Sequence, residues 1–149
     1  MTTRGRRTGR SPVPVVLDTS ALVAMASRRD PAHAAMVGAL GGERSGIHVP
    51  HTVLVEAAQV VMTRATRSAW SSLLRSILDS DWRLEPMTDD DLRRSADILD
   101  AYADSRVDFV DASDMAIAER LGTHRIYTLD RRDFSLVRPR HVDAFELLP

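Results

Sequence analysis

Cysteine and lysine are both absent from this sequence of 149 residues, and each absence excludes a class of chemistry. Without cysteine the chain has no disulfide, zinc–thiolate site or thiol nucleophile, so any metal must bind to oxygen or nitrogen ligands. Without lysine it can form neither a Walker-type phosphate loop nor a Schiff base. All 20 basic residues are arginine, whose guanidinium group binds phosphate oxygens in pairs.

Long apolar runs are also absent. No segment approaches the roughly 18 apolar residues that a membrane span requires, and none follows the N-terminal arginines as in a secretory signal. We therefore expect a cytoplasmic protein that makes no membrane contact. The formal net charge of −1 leaves nucleic acid open as a partner, because a local basic patch is enough to bind it.

The chain divides into a short tail and one domain. Residues 1–12 carry four arginines and lack apolar periodicity, which predicts a disordered basic tail. Residues 13–149 are long enough to close a single hydrophobic core.

Strands and helices alternate throughout this domain. The predicted strands cover 13–17, 47–49, 82–85, 125–129 and 142–148, the last of them at an edge of the sheet. The predicted helices cover 19–27, 31–40, 53–63, 68–79, 89–104 and 112–121. This alternation predicts an α/β fold with a central parallel sheet and helices on both faces.

Several polar residues are predicted to start these helices. Thr19 or Ser20 would cap the first, and Asp30 followed by Pro31 would open the second. Thr88 begins a capping box, whose acids at 89–91 we interpret as surface residues that compensate the helix dipole. Asp111 would cap the helix that ends at Gly122.

Four acidic residues stand at positions where they could converge. Asp18 and Asp130 directly follow apolar strands, whose carboxyl ends face ligands in open α/β sheets. Glu56 interrupts an almost wholly apolar helix, and Asp111 opens another. Asp114 lies one turn beyond Asp111 and is a candidate fifth member.

Each acid also has a purely structural interpretation. Asp18 could be an N-cap, Asp111 with Asp114 a capping box, and Asp130 a turn residue. Glu56 could sit at the edge of a buried helix, where the dipole favours an acid.

If the acids do converge, their mutual repulsion requires protonation or a bound cation. Carboxylate ligands without cysteine favour Mg²⁺ or Mn²⁺. Such an ion activates water and neutralises charge on a phosphodiester, which is nuclease chemistry. Four arginines close to the predicted pocket loops are candidate RNA contacts: Arg28, Arg29, Arg131 and Arg132.

Four motifs together resemble the PIN domain, in particular the VapC-type ribonuclease toxins of bacterial toxin–antitoxin pairs. They are LDTSAL, the Glu56 helix, VDASDMAIAERLG and TLDRRDF, and the resemblance extends from about Val15 to Pro149. It implies a three-layer fold and an acidic pocket that binds Mg²⁺ or Mn²⁺.

The resemblance also assigns roles to residues. It implies that Asp18, Glu56, Asp111 and Asp130 are the catalytic and metal-binding acids and that Thr19 or Ser20 supports the first of them. Asp114 stands where many relatives have an apolar residue, so an extra ligand and an indirect supporting role both stay open. The implied partners are an RNA substrate, often tRNA or rRNA, a small VapB-type antitoxin and a second copy of the chain.

Three alternatives remain after the resemblance. A PIN nuclease of RNA maturation would have the same pocket, and a catalytically silent PIN module would bind RNA or a protein without cutting. A phosphoacceptor receiver domain also places an acid after a strand, but it needs a lysine that this chain lacks.

Overall fold

The computed structural model of the chain describes residues 12–149, which form one parallel sheet between two groups of helices. The strands are β1 (Val15–Leu17), β2 (Ile47–Pro50), β3 (Arg83–Glu85), β4 (Arg125–Tyr127) and β5 (Glu146–Leu148). The helices are α1 (Thr19–Ala26), α2 (His33–Gly41), α3 (His51–Arg64), α4 (Arg67–Leu78), α5 (Asp89–Ala101), α6 (Phe109–Arg120) and α7 (Arg131–Leu136). The predicted three-layer α/β fold is confirmed. Except for Pro12, the predicted basic tail lies outside the described residues.

The order of the strands creates a crevice in the sheet. They lie in the order β3-β2-β1-β4-β5, so β1 pairs with β2 on one side and with β4 on the other. From β1 the chain builds outward to β3 and then returns to add β4 on the opposite side. At such a reversal the carboxyl ends of the two central strands leave room for a ligand. Here those strands are β1 and β4.

Strand β1 is buried on both faces, which explains its uniformly apolar sequence. Val15 and Leu17 pack into the core formed with α1, α2, α3 and α4. Val16 points the other way and packs with α5, α6 and α7. All three side chains have no solvent exposure. The strand is therefore fixed from both sides, and the residue that follows it has a defined position.

The start of α6 corrects one expectation. The helix begins at Phe109 and its N-cap is Asp108, not Asp111. Asp108 Oδ1 accepts the backbone N–H of Asp111 at 3.0 Å, and Asp111 Oδ2 accepts that of Asp108 at 3.1 Å. The capping box therefore joins Asp108 to Asp111 rather than Asp111 to Asp114. The sequence repeats an acid every three residues here, so spacing alone could not select the register.

Other element ends differ by a few residues. Helix α1 begins at Thr19 with Asp18 in the N-cap position, and α2 begins only at His33. Asp30 Oδ1 accepts the N–H of Ala32 at 2.8 Å, which closes a turn before that helix. The strand β4 ends at Tyr127, and the edge strand β5 is shorter than predicted. None of the helices in residues 12–149 has both the length and the apolar character to cross a bilayer.

Ion pairs between partly or fully buried side chains join α5 to α6. The predicted capping box of Thr88 with Asp91 is present, but Asp91 is only 2% exposed rather than on the surface. The reason is Arg120 of α6, whose Nε donates to Asp91 Oδ2 at 3.0 Å. Close by, Arg94 donates two hydrogen bonds to Glu119, of 2.8 and 2.9 Å.

The Arg94–Glu119 pair gives a stability prediction. Both side chains are at most 15% exposed, so Arg94→Ala removes the two side-chain donors of a nearly buried carboxylate and leaves it the backbone N–H of Arg140. We expect the free energy of unfolding to fall by about 2–3 kcal/mol. Urea denaturation measures this change. The control is Arg93→Ala on the same helix, whose partner Asp90 is 91% exposed; it should be nearly neutral. Equal losses in the two variants would contradict the assigned role of the buried pair.

Candidate active site

The crevice between β1 and β4 contains Asp18, held by groups from both sides. Its backbone N–H donates to the carbonyl of Tyr127 at 3.0 Å. Its Oδ2 accepts hydrogen bonds from the hydroxyls of Ser20 at 2.8 Å and Thr128 at 2.7 Å. The carboxylate does not cap α1, although it stands in the N-cap position. Its orientation is therefore set by the two hydroxyl groups, and the capping interpretation does not explain it.

Thr19 and Ser20 support different acids. Thr19 Oγ1 donates to Glu56 Oε2 at 2.5 Å and so ties α1 to α3. Ser20 donates its hydroxyl to Asp18, and its Oγ also accepts the backbone N–H of Leu129 at 2.9 Å. The sequence predicted that Thr19 or Ser20 would support Asp18. It did not predict the second hydroxyl donor, Thr128, because its position follows only from the end of β4 at Tyr127.

The remaining two predicted acids lie at helix starts. Asp111 is the third residue of α6 and is fixed by its capping box. Asp130 is the N-cap of α7 and accepts the backbone N–H of Asp133 at 3.4 Å. Both helices therefore begin at the crevice, where their positive dipole ends favour acidic side chains.

One open cavity of about 370 Å³ brings the four predicted acids together. Three further acids line it, and so do two arginines that sequence reasoning missed. The acidic and basic lining residues are Asp18, Asp30, Glu56, Asp108, Asp111, Asp130, Asp133, Arg64 and Arg106. Arg64 could have been found from its spacing, because it follows Glu56 by eight residues and shares its helix face. Arg106 could not, since its position depends on where α6 begins.

Asp114 lies below this cavity rather than on its wall. The side chain has no solvent exposure, and within residues 12–149 neither carboxyl oxygen accepts a hydrogen bond from a donor group. Burial, together with the nearby charges of Asp18, Asp111 and Glu56, raises the pKa of Asp114 well above its ordinary value. A carboxyl group in this setting is stable when protonated or when a cation is close.

Asp111 shows the same effect at the cavity wall. Burial raises its pKa to about 7, and the charges of Asp108, Asp18 and Asp130 add to the shift. The hydrogen bond from the backbone of Asp108 acts in the opposite direction. Perturbed carboxyl groups that influence one another are typical of functional sites.

The donors suit a hard divalent cation. Every acidic side chain at the cavity offers only oxygen ligands, which Mg²⁺ and Mn²⁺ prefer. A positive charge would reduce the repulsion between these carboxylates and would also stabilise the ionised form of Asp114. Within residues 12–149, however, no three His, Asp or Glu side chains already converge closely enough to form a finished metal site.

The four arginines predicted to contact RNA are distributed unevenly. Arg29 and Arg132 line two neighbouring cavities that adjoin the acid cavity. Arg131 instead donates to the carbonyls of Leu147 and Pro149, at 3.3 and 2.6 Å. Arg28 is exposed and is not among the residues that line the acid cavity.

Comparison with known proteins gives the family. The PIN domain family model matches residues 15–138. Ribonuclease VapC26 of Mycobacterium tuberculosis is 32% identical over 135 residues, which cover 91% of this chain and all of that protein.

Solved structures share the fold. VapC20 of M. tuberculosis, described as a toxin that cleaves the sarcin–ricin loop, superposes with a TM-score of 0.77 at 22% identity; the match covers 87% of this chain and 98% of that one. VapBC2 of Rickettsia felis, bound to a promoter DNA fragment, gives a TM-score of 0.67 at 14% identity over 91% of this chain and 99% of that one. From the family match and the relative, the chain belongs to the PIN-domain family and is a homologue of the VapC ribonucleases.

Proposed function

We propose that this protein is a metal-dependent endoribonuclease that hydrolyses RNA phosphodiester bonds, and that it is the toxin of a VapBC-type pair. The acid cavity at the crevice of the sheet carries the proposal, because it holds a carboxylate from each of four separate segments. Homology to a VapC ribonuclease over nearly the whole chain supports it. Ribonucleases of this family generally depend on divalent metal ions.

Asp18, Glu56, Asp111 and Asp130 are the residues that we propose to bind Mg²⁺ or Mn²⁺ and to carry catalysis. When bound, the ion supplies an activated water and neutralises negative charge that develops on the phosphate. Ser20 and Thr128 both donate to Oδ2 of Asp18, so Oδ1 would be free to bind the ion. Glu56 is oriented by Thr19 in a similar way.

Asp114 acts indirectly in this proposal. It does not line the cavity, so we assign it a supporting position beneath Asp18 and Asp111 rather than a direct bond to the ion. Its buried carboxyl makes the floor of the site polar, and this favours the arrival of a cation over that of apolar groups.

RNA and a VapB-type antitoxin are the proposed partners, with tRNA or rRNA as the RNA. The relative VapC20 is described as cleaving the sarcin–ricin loop, and VapBC2 of R. felis is a toxin–antitoxin complex. Both descriptions apply to those proteins, and they support testing structured RNA and a VapB-type antitoxin as partners of this chain. Arg28, Arg29, Arg131 and Arg132 stay predicted RNA contacts.

A homodimer is also part of the proposal. Val55, Leu92 and Phe109 are each at least 44% exposed and line one apolar groove of about 590 Å³ between α3, α5 and α6. An exposed apolar patch of this kind favours a protein partner. A second copy of the chain that buried this groove would lie beside Glu56, which also lines it.

Asp18→Asn tests the catalytic assignment. The variant should fold normally, because it removes a repulsive charge and keeps an acceptor for Ser20 and Thr128, yet it should lose RNA cleavage. Digestion of total RNA with Mg²⁺, Mn²⁺ or chelator measures this. The exposed Asp90→Asn is the control and should cleave as the wild type does. Equal metal-dependent cleavage by Asp18→Asn would overturn the site; no cleavage by any form would favour the silent binding module.

Metal should stabilise the folded protein by an amount that rises with the logarithm of the free Mg²⁺ concentration once it exceeds the dissociation constant. At Mg²⁺ concentrations about 100-fold above the dissociation constant, the gain is about 2.7 kcal/mol. A thermal scan with and without millimolar Mg²⁺ should show a clear rise in Tm for the wild type and a smaller one for Asp111→Asn. No shift in the wild type would contradict a site in this cavity.

The metal-free protein should become less stable as pH rises from about 4 to about 7. Over this range Asp111, with its pKa raised to about 7, and Asp114 bind more protons in the folded than in the unfolded chain. Urea denaturation in chelator at several pH values measures the free energy of unfolding. Asp111→Asn should flatten the decline without abolishing it, because Asp114 and Asp133, whose pKa values are also raised, remain. Identical pH dependence in the two proteins would contradict the raised pKa of Asp111.

A further inference from the structure

The acid cavity is the middle of a longer groove. It shares Val23, Asp30, Val60 and Arg64 with a neighbouring cavity of about 200 Å³ between α1 and α3. We call this neighbour the α3 arm; its two basic residues are Arg29 and Arg64.

A second neighbour adjoins the acid cavity through a different set of residues, none of which lines the α3 arm. The acid cavity shares Arg106 and Asp133 with a cavity of about 450 Å³ between the end of α5 and α7. We call this neighbour the α7 arm; its two basic residues are Arg106 and Arg132. The carboxylates therefore lie between two arms, and each arm holds a pair of arginines.

These four arginines differ from those that stabilise the fold. Arg94, Arg120 and Arg125 form ion pairs with acids of neighbouring elements. Arg29, Arg64, Arg106 and Arg132 make no ion pair within residues 12–149, although Asp30, Asp104 and Asp133 line the same arms. Arg106 and Arg132 still lie near enough to Asp133 to oppose the rise in its pKa. Guanidinium groups that make no direct contact with a carboxylate have donors available to bind phosphate.

The walls between the charges are partly apolar. Val23 and Val60 line the α3 arm. Leu136 lines the α7 arm and is 51% exposed, and Leu129 lines the acid cavity and is 44% exposed. Bases that have left a duplex can pack on such surfaces.

The acids are recessed, which restricts the form of the RNA. Asp18 is only 4% exposed and Asp111 only 9%. A phosphate can approach them only if the strand bends into the cavity, and an unpaired strand does so more readily than a duplex.

We propose that a single RNA strand crosses the acid cavity along this groove, with Arg64 binding phosphate on one side of the scissile bond and Arg106 on the other. Arg29 and Arg132 extend the two contacts outward. This inference rests on the proposed nuclease function and adds to it the path of the substrate and two binding residues, Arg64 and Arg106, that are not among the RNA contacts predicted from the sequence.

RNA binding to an inactive protein tests the path. The measurement is fluorescence anisotropy of a labelled twelve-nucleotide oligouridylate on Asp18→Asn protein in Mg²⁺, over a range of salt concentrations. For single strands each lost phosphate contact lowers the slope of log affinity against log salt by about 0.7, which is about fivefold in affinity at 0.1 M salt. Arg64→Gln and Arg106→Gln should each show this loss, and their combination should show the sum.

Three controls test whether the loss of affinity comes from the groove, from phosphate binding and from an unpaired strand. Arg75→Gln changes an exposed arginine of α4 outside the groove and should leave the slope unchanged. Arg64→Lys keeps the charge and should keep the slope, which separates phosphate binding from a folding defect. A blunt RNA duplex with the same number of phosphates should compete poorly, and equal competition would overturn the single-strand assignment.

The outcomes separate this proposal from the nuclease function. Slopes for Arg64→Gln and Arg106→Gln that equal that of Arg75→Gln would overturn the groove, even if cleavage depends on metal and on Asp18. A loss in only one of the two variants would overturn the crossing path and restrict the RNA to one arm. If Asp18→Asn leaves cleavage unchanged while both variants weaken binding, the nuclease site fails and the groove stands as an RNA-binding surface.

Discussion

Carboxylates that share a recessed cavity repel one another, and much of the structure around β1 and β4 holds them in place against this force. The parallel pairing of these strands sets Leu17 opposite Tyr127, so the residues that follow them meet at one edge. Asp18 from one strand then receives the hydroxyl of Thr128 from the other. Glu56 is restrained from α1, and Asp111 by the backbone of its own helix. These supports do not neutralise the acids, which leaves neutralisation to protonation or to a cation.

Much of this arrangement could be predicted from the sequence. Apolar segments alternate between strand and helix lengths, and this fixes the three-layer fold. The acids that follow β1 and β4 could be placed at one edge because parallel strands end together. The match of four motifs to the PIN family added the order of the acids along the chain.

The parts that could not be predicted depend on register and on distant contacts. Acids at 108, 111 and 114 allow two capping boxes, and only the packing of α6 selects the first. Asp91 is buried because it pairs with Arg120, which lies 29 residues further along the chain and is not indicated by any local pattern. Arg106 lines the cavity because α6 starts at Phe109. The predicted helix starts three residues later, at 112, and that difference prevented the position of Arg106 from being predicted.

Asp114 has a consequence for how such a protein can be improved. A buried carboxyl that accepts no hydrogen bond costs about 1–3 kcal/mol, so an apolar side chain of similar size at this position relieves a penalty in the metal-free fold. Directed evolution that rewards heat resistance alone would therefore favour replacing this residue. The same replacement removes the polar floor of the cavity, so variants selected only for durability would lose affinity for the ion while remaining well folded.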